Sequence, residues 1–180
     1  MSGLDIFGRN HIMVDLETLS TRSNAAIVSI GAVAFTFEDG IGESFLVNVD
    51  PVSCAQQGHH VSKETVAWWK TQPKEVSDAW KVSPKSLHDA MTALNAFVGK
   101  DKKQLIWCQG GSFDHPVLQS AFISCNIERN WDYWQEMDSR TVFTLLGVRN
   151  DKIRKRTKDN HTALGDAIGQ ATTLIELFQS

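Results

Sequence analysis

Four carboxylates and one histidine, divided among three distant stretches of the chain, are the side chains best suited to chemistry: Asp15 and Glu17, Asp114, and His161 with Asp166. Acidic groups repel one another, so a fold that gathers four of them needs cations. Oxygen-only donors suit two divalent ions, Mg²⁺ or Mn²⁺. Such ions neutralise phosphate and ease the loss of a proton from water, and a histidine titrating near neutrality can accept that proton. The chemistry implied is metal-dependent phosphoryl transfer.

The elements that must position these groups follow from local patterning. From His11 to Thr18, Ile12, Val14 and Leu16 alternate with Met13, Asp15 and Glu17. A period of two places both acids on one strand face, their Cα atoms about 6.6 Å apart. A D-x-E triplet arises by chance in roughly half of chains this long, so the pair alone says little. Its apolar setting says more, because it predicts a central strand, where unpaired carboxylates are costly. Two more strands are expected, Ala26 to Phe37 and Glu43 to Asp50, with Glu38-Asp39-Gly40 as the turn of an antiparallel meander.

Beyond Pro51 the pattern predicts a loop containing Gly58, then a helix from Ser62 to Thr71 that ends near Pro73. A second helix starts at Ser83 or Ser86 and runs to Val98, with Ser86 and Asp89 spaced as a capping box and Gly99 as its stop. Gln104 to Cys108 reads as a strand that feeds a helix, ending near Cys125, through Gly110-Gly111. That alternation implies parallel pairing and sets Asp114 at the carboxyl end of a strand, where ligands gather in open α/β sheets. Asp138 to Leu146 reads as a capped helix closed by Gly147. In the last helix Leu164, Ala167, Ile168, Ala171, Leu174, Ile175 and Phe178 form one apolar stripe. Asp166 falls in its first turn, where helical N–H groups favour an anion, and His161 stands just before it. H-x-A-x-x-D arises by accident in only about one chain in sixty.

The 180 residues suit one domain spanning 1–180, and 42% hydrophobic with 22% charged residues is an ordinary globular composition. The formal charge of −3 becomes +1 once the four acids are counted as neutralised by metal, so the global balance does not argue against a polyanionic partner. Locally, Arg149, Lys152, Arg154, Lys155, Arg156 and Lys158 face only Asp151, and this run is expected to meet phosphate. Cys54, Cys108 and Cys125 are too scattered for a disulfide framework or thiolate site. MSGLDIFGRN has no apolar signal core, and the longest apolar run, Ala25 to Phe35, is too short to span a bilayer. A cytoplasmic protein with no membrane partner is expected.

Asp15-Leu16-Glu17-Thr18, Gly110-x-x-Phe113-Asp114 and His161-x-Ala163-x-x-Asp166 resemble, in order and spacing, the three motifs of the DEDDh 3′ to 5′ exonucleases, a ribonuclease-H-like group. The resemblance covers nearly the whole chain. It implies an α/β fold with a mixed five-stranded sheet, antiparallel in its first three strands and parallel later, flanked by helices. It further implies that Asp15, Glu17, Asp114 and Asp166 hold two divalent cations and that His161 is the general base. The substrate implied is single-stranded DNA or RNA, shortened from its 3′ end to nucleoside 5′-monophosphates, and no residue nominates one sugar over the other. Related enzymes are often homodimers, which makes a dimer an expectation. Two departures stand out: Leu19-Ser20 replaces the Thr-Gly pair of proofreading members, and Ser29 replaces their acidic residue in the second strand.

Substrate contacts are expected from Thr18, Phe113, Trp68, Trp69, Arg154 and Arg156. Adjacent helical residues point about 100° apart, so one of Trp68 and Trp69 can be core while the other faces a base. Trp80, Trp107, Trp131 and Trp134 are expected to pack, His59-His60 to lie in a surface loop, and Arg140 to support the acids. The competing reading is a nucleic-acid-binding or partner-docking module that keeps the fold without turnover.

Overall fold

The computed structural model describes residues 6–148 and 162–179. Strand β1 (His11–Thr18) is the centre of a five-stranded sheet of order β3-β2-β1-β4-β5. β2 (Ile27–Thr36) and β3 (Gly40–Asn48) continue antiparallel on one side. β4 (Leu105–Cys108) and β5 (Glu136–Asp138) run parallel to β1 on the other.

The period of two in β1 sorts its side chains between two layers. Ile12, Val14 and Leu16 join the apolar cluster on one face, closed by α1 (Pro51–Gln56), α4 (Leu87–Val98) and α5 (Asp114–Ser124). Met13 faces the other way, into a cluster with Val33, Phe35, Trp107 and the Ala167, Ala171, Leu174 and Ile175 stripe of α7 (Ala163–Gln179). Asp15 and Glu17 continue the Met13 side of the strand, towards α7.

Between α1 and α4 lie α2 (Lys63–Trp69) and α3 (Lys74–Ala79); α6 (Ser139–Leu145) follows β5. Capping serine, aspartate and glycine act where their spacing predicts. Ser62 accepts from the Thr65 amide, Ser86 from the Asp89 amide and Asp138 from the Arg140 amide, while Gly99 ends α4 at φ 71°.

Some expectations are corrected. The segment after Pro51 is not all loop: Asp50 caps the short helix α1 by accepting from the Val52 amide. α2 ends ahead of Pro73 as expected, but Pro73 is then the N-cap of a further short helix, α3, that the pattern did not predict. His59 is buried, its ring nitrogens 3.3 Å from the Ala25 carbonyl and 2.9 Å from the Ser124 hydroxyl, so it ties the loop to the core. Trp107 and Trp131 pack as expected, whereas Trp134 is 58% exposed. No helix among the described residues is long and apolar enough to cross a membrane.

Candidate active site

The site lies where β1 parts from β4. The two strands pair only from His11–Leu105 to Met13–Trp107, so the later half of β1 leaves its parallel neighbour and a crevice opens beyond the strand ends. Asp15 and Glu17 stand on one wall. Asp114, the first residue of α5, is carried in by the turn after β4, in which Gly110 adopts φ 124°. It is buried, and Phe113 holds the N-cap position with no side-chain cap hydrogen bond, so the Asp114 carboxylate is not spent on capping α5.

Asp166 comes from the other direction, on the first turn of α7. That turn sits directly on the sheet because Gly31 has no side chain: a Cβ there would stand 2.2 Å from the backbone of Ala163 and Leu164. Gly31 is the register partner of Asp15. The missing side chain therefore sets α7 beside Asp15 and allows carboxylate oxygens of Asp15, Glu17 and Asp166 to lie within 4.8 Å of one another.

The electrostatics are those of crowded acids. Burial pushes Glu17 up to about 8, reinforced by Asp166 and Asp114. Burial likewise holds Asp15 well above its ordinary value, with Asp114, Glu17 and Asp166 adding to the rise and a hydrogen bond from Gln170 opposing it. Asp114 is raised to about 7 by burial, an effect that the Arg140 guanidinium partly offsets. Arg140 donates through Nη2 to the Gln109 carbonyl at 3.0 Å, which places its charge beside the turn that carries Asp114. Arg140 is thus positioned as the sequence suggested. A cluster of oxygen donors that retains protons for want of countercharge is what hard divalent cations fit.

A cleft of about 620 Å³ opens onto Glu17 and is lined also by Thr18, Ser62, Trp68, Trp69 and Phe113. Trp69 is 6% exposed and its indole Nε1 donates to the Thr18 carbonyl at 2.9 Å. Trp68 is 46% exposed, so the adjacent pair divides into an anchor and a presented ring. The Thr18 hydroxyl donates to the Ser20 carbonyl at 2.8 Å, which leaves Thr18 to shape the wall. His161, Arg154 and Arg156, with the rest of the basic run, lie outside the described residues.

Two contributors escaped the sequence reading. Gly31 looks like an incident in an apolar run, and its only signal is a glycine inside a strand pattern, which marks close backbone approach. Gln170 lies one helical turn beyond Asp166 and donates through Nε2 to Asp15 Oδ1 at 2.8 Å.

This sheet order, with acids converging at the open end of its central strand, agrees with the arrangement that the three motifs imply for a 3′ to 5′ exonuclease. Residues 10–178 match the family model described as the 3′-5′ exoribonuclease Rv2179c-like domain. The chain belongs to that family, whose members are 3′ to 5′ exonucleases. An exodeoxyribonuclease of Enterobacteria phage T4 is 27% identical, over 77% of this chain and 73% of its own. Two solved structures share the fold. One is the metal-free Escherichia coli exonuclease I complex with single-stranded DNA, at TM-score 0.70 and 13% identity over 95% of this chain. The other is the nuclease domain of 3′hExo bound to rAMP, a DEDDh family member, at TM-score 0.65 and 10% identity, covering 94% of this chain and 92% of that one. The chain spans 40% of the length of that exonuclease I chain.

Proposed function

We propose that the chain is one exonuclease domain that hydrolyses single-stranded nucleic acid from its 3′ end and releases nucleoside 5′-monophosphates with the help of two divalent cations. The observation that carries this reading is the approach of Asp15, Glu17 and Asp166 to within 4.8 Å at the head of an aromatic-walled cleft. Asp15, Glu17, Asp114 and Asp166 would hold Mg²⁺ or Mn²⁺. When bound, the ions supply water activation and charge neutralisation at the scissile phosphate.

The chain's own side chains do the rest. His161, assigned from its place in the third motif, takes the proton of the attacking water. The water oxygen bonds to phosphorus, the bond from phosphorus to the 3′ oxygen of the preceding nucleotide breaks, and that oxygen leaves to gain a proton. The half-exposed Trp68 ring and Phe113 offer flat apolar surface to the terminal base, and stacking of this kind tolerates any sequence. Arg154 and Arg156 contact the strand's phosphates upstream.

The test is incubation of the wild-type chain and Asp15→Ala with Mg²⁺ or Mn²⁺ and 5′-labelled single-stranded DNA or RNA. A ladder shortening from the 3′ end only in wild type is expected. Internal cuts, or equal shortening by the variant, would overturn the reading.

A further inference from the structure

We infer that Gln170 is a positioning residue of the cation site, holding the Asp15 carboxylate in place by a neutral hydrogen bond. The inference rests on the two-cation reading and deepens it.

Asp166 and Gln170 are four residues apart on α7 and therefore share one helix face. One contributes a carboxylate to the cluster, and the other donates to Asp15 across the seam between helix and sheet. The surroundings of Gln170 on α7 are apolar: Ala167, Ala171 and Leu174 are fully buried in the cluster beneath the sheet. Gln170 is itself only 6% exposed, and its Oε1 has no hydrogen-bond donor among the described residues. Leaving a buried acceptor unmatched costs stability, so an apolar side chain would serve packing better. The amide is at odds with the packing and agrees with the site.

Its chemistry is suited to that task. A lysine or arginine here would fix Asp15 equally well but would bring a positive charge that competes with the ions. An amide N–H orients the carboxylate without adding charge, and its carbonyl oxygen stays available to a donor that enters the loaded site. Partners that orient metal ligands in this way typically change metal affinity or activity by about 10–100-fold when removed.

The experiment is calorimetric titration of Mn²⁺ into the metal-free full chain, wild type beside Gln170→Met, with melting temperatures measured in chelator. Methionine keeps length and apolar packing but has no N–H. Mn²⁺ affinity should fall about 10–100-fold while the metal-free melting temperature holds or rises. Turnover of a single-stranded oligonucleotide at fixed Mn²⁺ should lose kcat with KM unchanged. In an Asp15→Asn background the same substitution should alter Mn²⁺ affinity by less than about twofold, because the partner it orients is already changed. Gln170→Leu, which also keeps apolar packing and has no N–H, gives the same readouts should the methionine variant not fold. Equal Mn²⁺ affinity in wild type and variant, or a lowered melting temperature with the affinity loss persisting in the Asp15→Asn background, would overturn the assignment. Failure of wild type itself to take up Mn²⁺ would remove the two-cation reading and the assignment with it, an outcome separable from equal uptake by both.

Discussion

The two halves of one face of β1 treat buried polar groups in opposite ways. In the first half His11 is fully buried among Phe35, Phe37 and Trp107, and both ring nitrogens are matched. Trp107 Nε1 donates to His11 Nδ1 at 3.1 Å, which leaves Nε2–H to donate to the Ile6 carbonyl at 2.9 Å. Burial lowers this histidine's pKa and keeps it neutral. Four and six residues later, Asp15 and Glu17 on the same face are crowded by like charges and pushed towards protonation. A strand can thus close its polar groups internally for stability or leave them strained for a ligand, and β1 does each in turn.

The sharpest way to break the contrast is to neutralise the strained half. Glu17→Gln should cost about 10²–10³-fold in kcat/KM, the scale of losing one member of a catalytic constellation, yet raise the melting temperature of the metal-free protein. A melting temperature that falls with activity would mean that Glu17 is structural.

Gly31→Ala attacks the same half from behind. The methyl group has no room against Ala163 and Leu164, so the first turn of α7 must shift, at about 1–3 kcal/mol of stability and with Asp166 displaced from Glu17. Weaker Mn²⁺ binding accompanying the lower melting temperature is the expected pair of results. Unchanged metal affinity would contradict the close approach.

Acidity gives a gentler probe. Glu17 at about 8 and Asp114 at about 7 lie above their ordinary values of 4.5 and 3.8, so the folded metal-free protein holds protons that the unfolded chain releases. Their stabilising contribution is complete below the ordinary values and is lost as pH rises through 7–8. The melting temperature of wild type in chelator, compared with that of Glu17→Gln, should therefore decline from pH 5.5 to 8.5, and saturating Mn²⁺ should cancel the decline. A difference that grows in favour of wild type as pH rises would reverse the sign and reject the shifts.

The smallest functional effect belongs to the satisfied half. His11→Phe leaves the Trp107 N–H and the Ile6 carbonyl unmatched and should cost about 1–3 kcal/mol in denaturant unfolding. Turnover per folded molecule should stay within about twofold of wild type, since the cost falls on folding alone.

The legibility of the molecule follows the same division between local and distant causes. β1 was readable from His11 to Thr18 because strict alternation and an apolar setting are properties of the segment itself. Of the motif residues, Asp15, Glu17 and Asp166 come together from segments far apart in the chain, whereas His161 lies outside the described residues. α1 and α3 have six residues each and no apolar period; α1 is capped by Asp50, whereas α3 has no side-chain cap and is tied at its end by Asn48, which donates to the Ala79 carbonyl. β5 is three partly buried residues, Glu136–Asp138, made a strand only by pairing with β4. Gln170 was illegible for a similar reason, since it meets Asp15 from 155 positions away. The split between Trp68 and Trp69 could be foreseen in kind, but which ring is presented depends on where the end of β1 places the Thr18 carbonyl.

That last contact ties the aromatic platform to the acidic floor. Trp69 is pinned to the backbone next to Glu17, and the half-exposed Trp68 ring packs edge-on against it at 4.6 Å between centroids, so the outward ring inherits its position from the end of β1. A change at the end of β1 would therefore be felt in the orientation of both rings as well as in the acidic cluster.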